Sequence, residues 1–324
     1  MARPVRILRR IALALVLVAV VGGLAVWLSP GFALDATMRL ERGRAGLEQK
    51  VVEVDGHRIV YLEAHADASP TILMVHGFSA DKDNWTRFAR YFGDYHVVVP
   101  DLPGFGESTR DEAATYDIAS QADRLAAFAD ALGLEPHHVV GNSMGGNLAG
   151  AYAVQHRDHV KSVAFFANSG VTPTNESEVM QARRRGETPL LASSVEDYER
   201  IVDLVFVERP FLPGPVLEHF ARRAVETRAF NAKISEDLAE RPFPLEPVLG
   251  DIDVPVLVLW GDSDRVLDVS SIEVIQPRVP HAVVVIMDGC GHLPMVERPE
   301  EAALHYLRFL RVGQTPRAEA GPID

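Results

Sequence analysis

Cysteine is nearly absent from this chain: its 324 residues contain one, Cys290. No intrachain disulfide can form, and no cysteine-based metal site can be assembled. Cys290 also lies too far from residue 1 to be a lipidated N-terminal cysteine, and reads as a small packing residue rather than a redox switch. Positive charge is scarce as well. The 32 Lys and Arg residues are outnumbered by 45 Asp and Glu, for a net charge of −13. With no basic stripe to neutralise phosphates, nucleic acid is excluded as a partner. No H-E-x-x-H or comparable ligand spacing is present, so neither a metal nor a cofactor is expected. There is no internal repeat. A composition of 47% hydrophobic and 24% charged residues is that of an ordinary globular chain, long enough to bury a large core.

One apolar run stands out. Arg3, Arg6, Arg9 and Arg10 precede an uncharged stretch from Ile11 to Leu28. As a helix it would extend roughly 27 Å, close to the hydrocarbon thickness of a bilayer. The segment has no polar face, which argues against a buried soluble helix. Residues 1–33 are therefore expected to anchor the chain in a membrane, with the basic flank cytoplasmic and the rest beyond the bilayer. The competing reading is a signal peptide cleaved at Gly31-Phe32-Ala33, giving a secreted or periplasmic protein. Residues 34–50, charged and glycine-containing, read as a connector, and residues 313–324 as a disordered tail.

Between these ends, short β-branched runs alternate with helical patterns. Strands are predicted at Val51–Val54, Arg58–Glu63, Thr71–Val75, His96–Val99, His138–Gly141, Val160–Ala167, Val254–Trp260 and Ala282–Met287. Helices are predicted near Asp83–Phe92, Ile118–Leu132, Met144–Gln155, Val269–Arg278 and Pro299–Leu310. The later strands are apolar on both faces, as in a parallel sheet covered by helices. This alternation implies a doubly wound, mostly parallel α/β sheet. The interval 170–247 breaks the rhythm, carrying helical patterns around Glu176–Arg185, Val195–Phe206 and Val216–Arg228. It reads as a helical cap inserted between core segments 51–169 and 248–312.

The chemistry centres on Gly141-Asn142-Ser143-Met144-Gly145. G-x-S-x-G between a strand and a helix reads as a nucleophile elbow, with glycines where a Cβ would clash. A serine hydroxyl is a poor nucleophile and needs a histidine base oriented by a carboxylate. On this kind of scaffold the order is Ser, then Asp or Glu, then His. His292, in Gly289-Cys290-Gly291-His292, follows the last strand and lands on the same sheet edge as Ser143. Asp264 follows the preceding strand, where Asp262 and Asp268 compete with it as turn residues. Oxyanion donors are expected from the backbone N–H of Met144 and of Phe78, with Ser79 the second choice in His76-Gly77-Phe78-Ser79. His76 reads as a brace of that loop. Phe206, Phe211 and Leu212, with Phe220 and Phe230, are candidates to line an acyl pocket or else to form the cap's own core. Arg183-Arg184-Arg185 reads as a solvated helix face rather than a headgroup site.

With these residues in place, the chain resembles the α/β-hydrolase family. It is most similar to the membrane-anchored monoacylglycerol lipases and related bacterial lipases. The likeness is carried by His76–Trp85, Asp101-Leu102-Pro103-Gly104-Phe105-Gly106-Glu107-Ser108, the elbow through Ala153, Trp260–Ser270 and Cys290–Glu301. It favours Asp264 as the carboxylate of the triad. The resemblance implies hydrolysis of lipid-like carboxylic esters of the monoacylglycerol type through an acyl-enzyme. A carbon–carbon bond hydrolase of ring-cleavage products, whose family shares the G-N-S-M-G-G elbow, is the alternative. A non-catalytic membrane-tethered binding protein is the third reading.

Overall fold

The computed structural model describes residues 27–313 without a break, together with residues 7, 10, 12, 13 and 21–23. Most of the N-terminal apolar run and the tail after Gly313 thus lie outside the described residues. Among the described residues, no helix is long and apolar enough to cross a membrane.

Eight strands form one sheet: β1 (Glu48–Val54), β2 (His57–Ala64), β3 (Thr71–Val75), β4 (His96–Pro100), β5 (His137–Asn142), β6 (Val160–Phe166), β7 (Val256–Gly261) and β8 (Val283–Met287). Their spatial order is β1-β2-β4-β3-β5-β6-β7-β8. β1 and β2 pair antiparallel, β2 meets β4 antiparallel, and the remaining ladders are parallel. The helices are α1 (Pro30–Arg44), α2 (Thr86–Ala89), α3 (Ile118–Ala131), α4 (Met144–Gln155), α5 (Glu178–Arg184), α6 (Val195–Val205), α7 (Gly214–Glu226), α8 (Arg228–Glu240), α9 (Ser271–Ile275), α10 (Pro294–Glu297) and α11 (Pro299–Gly313).

The apolar strands sort their side chains by parity, as a pleat requires. Leu73 and Val75 join Val139, Leu148 and Trp260 on one face of the sheet. Ile72 and Met74 join Val140, Trp85, Phe88 and Tyr306 on the other. Each fully buried side chain of this size contributes roughly 1.5–3 kcal/mol over leaving it in water. β3, β4, β5 and β7 are buried along their whole length. β8 departs from the expectation of two covered faces: it is the edge strand, and Ile286 is half exposed. The register aligns Val75 with Gly141, Asn142 with Phe166 and Gly261 with Met287. The loops that follow β3, β5, β7 and β8 therefore open along one edge of the sheet.

Two elements were not anticipated. The segment read as a charged connector is largely helix α1, with Pro30 in its first turn and Arg42 and Arg44 in its last. Proline preset for helical φ at the start, and cations at the C-terminal end of the dipole, both favour that helix. It packs on α7 and α2. In the interval after β6, α5 and α6 start at Ser177 and Ser194, whose hydroxyls accept from Met180 N and Asp197 N. The pattern expected to end near Arg228 instead bends at Thr227 and continues as α8.

Candidate active site

Ser143 sits between β5 and α4 with φ of +56° and ψ of −119°, a conformation few non-glycine residues adopt. The strain is imposed by close packing. A Cβ on Gly145 would lie 2.4 Å from the carbonyl oxygens of Val75 and His76, and one on Gly141 would lie 2.0 Å from Gly145 O. Backbone meets backbone at both positions, so neither tolerates a side chain. Asn142 secures the turn from below, donating from Nδ2 to Phe166 O and His292 O, each at 3.0 Å.

His292 and Asp264 come together as the strand order predicts. His292 Nδ1 is 2.7 Å from Asp264 Oδ2, and both residues are buried. The other carboxylate oxygen accepts from Val266 N at 2.8 Å and Leu267 N at 3.0 Å, which fixes the plane of the group. The two competing aspartates serve turns: Asp262 accepts from Ser263 Oγ and Gly289 N, and Asp268 from Ser270 N. The backbone of His292 is tied to the end of α6, its N–H donating to Val205 O at 2.9 Å. Neighbouring Cys290 is buried, and burial pushes its thiol up to about 12, so it stays an unreactive thiol.

The loop after β3 faces the elbow. A Cβ on Gly77 would be 3.2 Å from Ser143 Cβ, which places the two backbones in contact. Among the described residues, Phe78 N–H donates to no protein acceptor. Met144 opens α4, where first-turn N–H groups lack intrahelical partners. His76 is fully buried and braces the loop. Its Nε2 accepts from Leu102 N at 3.0 Å, which leaves Nδ1 to donate to Gly77 O at 2.8 Å. Burial lowers its pKa and keeps it neutral in that role.

Beneath the loop lies an ion network that no sequence motif signalled. Lys82 Nζ donates to Asp101 Oδ2 at 2.8 Å and Glu107 Oε1 at 2.9 Å, with Lys82 and Asp101 both buried. Burial alone would lower the lysine pKa, but the two carboxylates outweigh it and hold it above its ordinary value. Asp81, next to it, is pushed up to about 6, first by burial and then by the charges of Asp101 and Asp83. Arg42 of α1 forms a two-pronged pair with Asp83 and so ties α1 to the same loop.

Ser143 and His292 open onto a cavity of about 1020 Å³. Phe206, Leu212 and Phe220 lie in its wall, and so do Leu34 and Met38 of α1. Phe211 is a correction. It is 89% exposed and stands outside the wall, on a loop where flanking Pro210 and Pro213 restrict the chain and the ring turns to solvent. Phe230 packs edge-on against Tyr116 rather than on the cavity. Arg183, Arg184 and Arg185 form an exposed face.

A mostly parallel eight-stranded sheet with a strained residue at the turn from β5 into α4 defines an α/β hydrolase fold. The chain belongs to the alpha/beta hydrolase family, whose model matches residues 72–303. It is 33% identical to Lipase 1 of Psychrobacter immobilis, over 88% of this chain and 92% of that protein. It is 30% identical to monoacylglycerol lipase abhd6-B of Xenopus laevis, over 83% and 84% of the two chains. Among solved structures it resembles a membrane phospholipase A described as a bacterial virulence factor, at 48% identity and a TM-score of 0.88, over 95% of this chain and all of that one. The chain is a carboxylic-ester hydrolase of the lipase and esterase type.

Proposed function

We propose that the protein hydrolyses monoacyl lipid esters, monoacylglycerols first among them, through a Ser143–His292–Asp264 triad. The observation that carries this reading is the 2.7 Å His292–Asp264 hydrogen bond beside a cavity lined by both His292 and Ser143. His292 takes the proton from Ser143 Oγ as that oxygen attacks the ester carbonyl. The bond to Asp264 keeps the proton of neutral His292 on Nδ1, leaves Nε2 free to act, and stabilises the cation that forms. The N–H groups of Phe78 and Met144 receive the negative charge on the former carbonyl oxygen. As the tetrahedral intermediate collapses, His292 returns the proton to the leaving alcohol and an acyl-Ser143 ester remains. Water, deprotonated by His292, then attacks that ester, releases the fatty acid and restores the serine.

The substrate class is supported by the apolar residues in the cavity lining. Val202, Phe206, Leu212, Val266, Leu293 and Val296 offer an apolar wall for an acyl chain. The monoacylglycerol lipase named above is consistent with that choice. The test is fatty-acid release from monoacylglycerols by the full chain and by Ser143→Ala. Release that disappears in Ser143→Ala supports the reading. Folded wild-type protein that spares these esters but turns over a ring-cleavage dienoate refutes it.

The N-terminal run from Ile11 to Leu28 is proposed as a single membrane anchor with the catalytic domain outside the cytoplasm. Alkaline extraction of membranes checks this. Protein that stays in the pellet at full length supports an anchor, whereas a soluble form starting after Ala33 shows a cleaved signal.

A further inference from the structure

Cap helix α8 sends one polar side chain down to the loop that faces the nucleophile. Asn231, 5% exposed, donates from Nδ2 to Ser79 Oγ at 2.9 Å. Its second amide hydrogen points to Thr227 Oγ1 at 3.4 Å. Both amide hydrogens are thus engaged, and the carbonyl oxygen has no protein partner among the described residues. Ser79 mirrors this. Its oxygen accepts from Asn231, while its hydroxyl proton has no acceptor among the described residues. Ser79 is held at φ of +58° and, like Asn231, lines the cavity. It stands two residues from Gly77, whose α-carbon packs on Ser143. That puts the pair within roughly 7 Å of chain from the backbone beside the nucleophile.

We infer that Ser79 and Asn231 form the subsite that recognises a neutral, hydroxyl-bearing alcohol of the ester substrate. This assignment rests on the ester-hydrolase reading and adds to it the means of choosing the alcohol. The pair leaves one donor unused, Ser79 O–H, and acceptor capacity on Asn231 Oδ1 and on the second lone pair of Ser79 Oγ. A hydroxyl both donates and accepts, so a diol such as the glyceryl group of a monoester satisfies the two together. A phosphate offers acceptors alone and an ammonium donors alone, and either would leave one member of the pair unmatched. The apolar wall near Val266, Leu293 and Val296 takes the acyl chain, so an amphiphilic ester spans the two walls with its carbonyl at Ser143.

The test compares 1-monooctanoylglycerol with propyl octanoate, esters that share acyl chain and alcohol carbon skeleton and differ in two hydroxyls. The readout is the ratio of kcat/KM for the two, in wild type, Asn231→Leu and Ser79→Gly. Glycine accepts the positive φ and keeps the backbone N–H, so that variant removes the hydroxyl alone. The wild type is expected to favour the glyceryl ester, with that ratio falling roughly tenfold in Asn231→Leu and roughly fivefold in Ser79→Gly, since a polar site that loses its match loses discrimination. A general loosening of the loop would lower both esters and leave the ratio in place. If both esters turn over and the ratio is unmoved in both variants, the subsite is overturned while the ester-hydrolase reading stands. If the wild type turns over neither ester, that reading falls and takes this assignment with it.

Discussion

In Lys82→Met the methionine side chain can follow the path of the lysine stem but brings no charge to its end. Asp101 then keeps two backbone donors, Lys82 N and Glu107 N, each at 2.8 Å, and loses its 2.8 Å ammonium partner. Its side chain is fully buried and that of Lys82 is 2% exposed, so water cannot take the ammonium's place. Removing one partner of a buried ion pair destabilises by about 3–5 kcal/mol, because the remaining charge is left uncompensated. For a domain of this size that corresponds to a fall in melting temperature of roughly 6–20 °C. The internal control is Arg222→Ala, which breaks an i,i+4 pair with Glu218 whose side chains are 68% and 49% exposed. That pair is screened by solvent and its loss should cost less than about 0.5 kcal/mol. Both variants are compared with wild type by urea unfolding at neutral pH, followed by far-UV circular dichroism. A loss below about 1 kcal/mol in Lys82→Met, or equal losses in the two variants, would refute the argument that burial makes this lysine essential.

Three further predictions concern the site itself. Asp81 is held up to about 6 against 3.8 for the free side chain, so folding favours its protonated form. Its contribution is intact at low pH and is lost as pH rises from near 4 through 6. Asp81→Asn should therefore gain stability over wild type above about pH 7 and show no gain below about pH 4, measured by melting across pH. Asn also keeps the cap that Asp81 provides to Asp83 N. Ser143→Gly should be inactive yet more stable by about 1 kcal/mol, because glycine relieves the positive φ at the elbow; a lower melting temperature would show that no strain resides there. Asp264→Asn should keep its melting behaviour while kcat on a simple ester falls roughly 10³–10⁴-fold, since an amide no longer fixes the His292 tautomer or supports its cation. Activity within tenfold of wild type would remove Asp264 from the proposed triad.

What could be read ahead of the structure was local or periodic. The elbow, the histidine turn and the aspartate loop each follow an apolar strand, and the parallel direction of those strands places their loops on one edge. The relations that escaped join loops far apart in sequence. Lys82 meets Asp101 and Glu107 across 19 and 25 residues, and Asn231 meets Ser79 across 152. No spacing rule encodes such pairs, because the packing of the finished fold selects them. Phe211 failed for a related reason: hydrophobicity marks a residue as worth burying, but proline geometry in its loop sets which way the ring faces. The helix Pro30–Arg44 was hidden by its charge, since its apolar positions are few and one of them, Leu34, is buried against the cavity.

That helix bears on what a cut near its start would do. Gly31 lies against His219 of α7, where an added Cβ would come within 3.1 Å of the imidazole, and Arg42 grips Asp83 at the far end. A cut at Gly31-Phe32-Ala33 falls inside the first turn of α1 and leaves the remainder to hold its place from one end. Trimming the chain there would also loosen one wall of the cavity, because Leu34 and Met38 of the same helix line it beside Ser143.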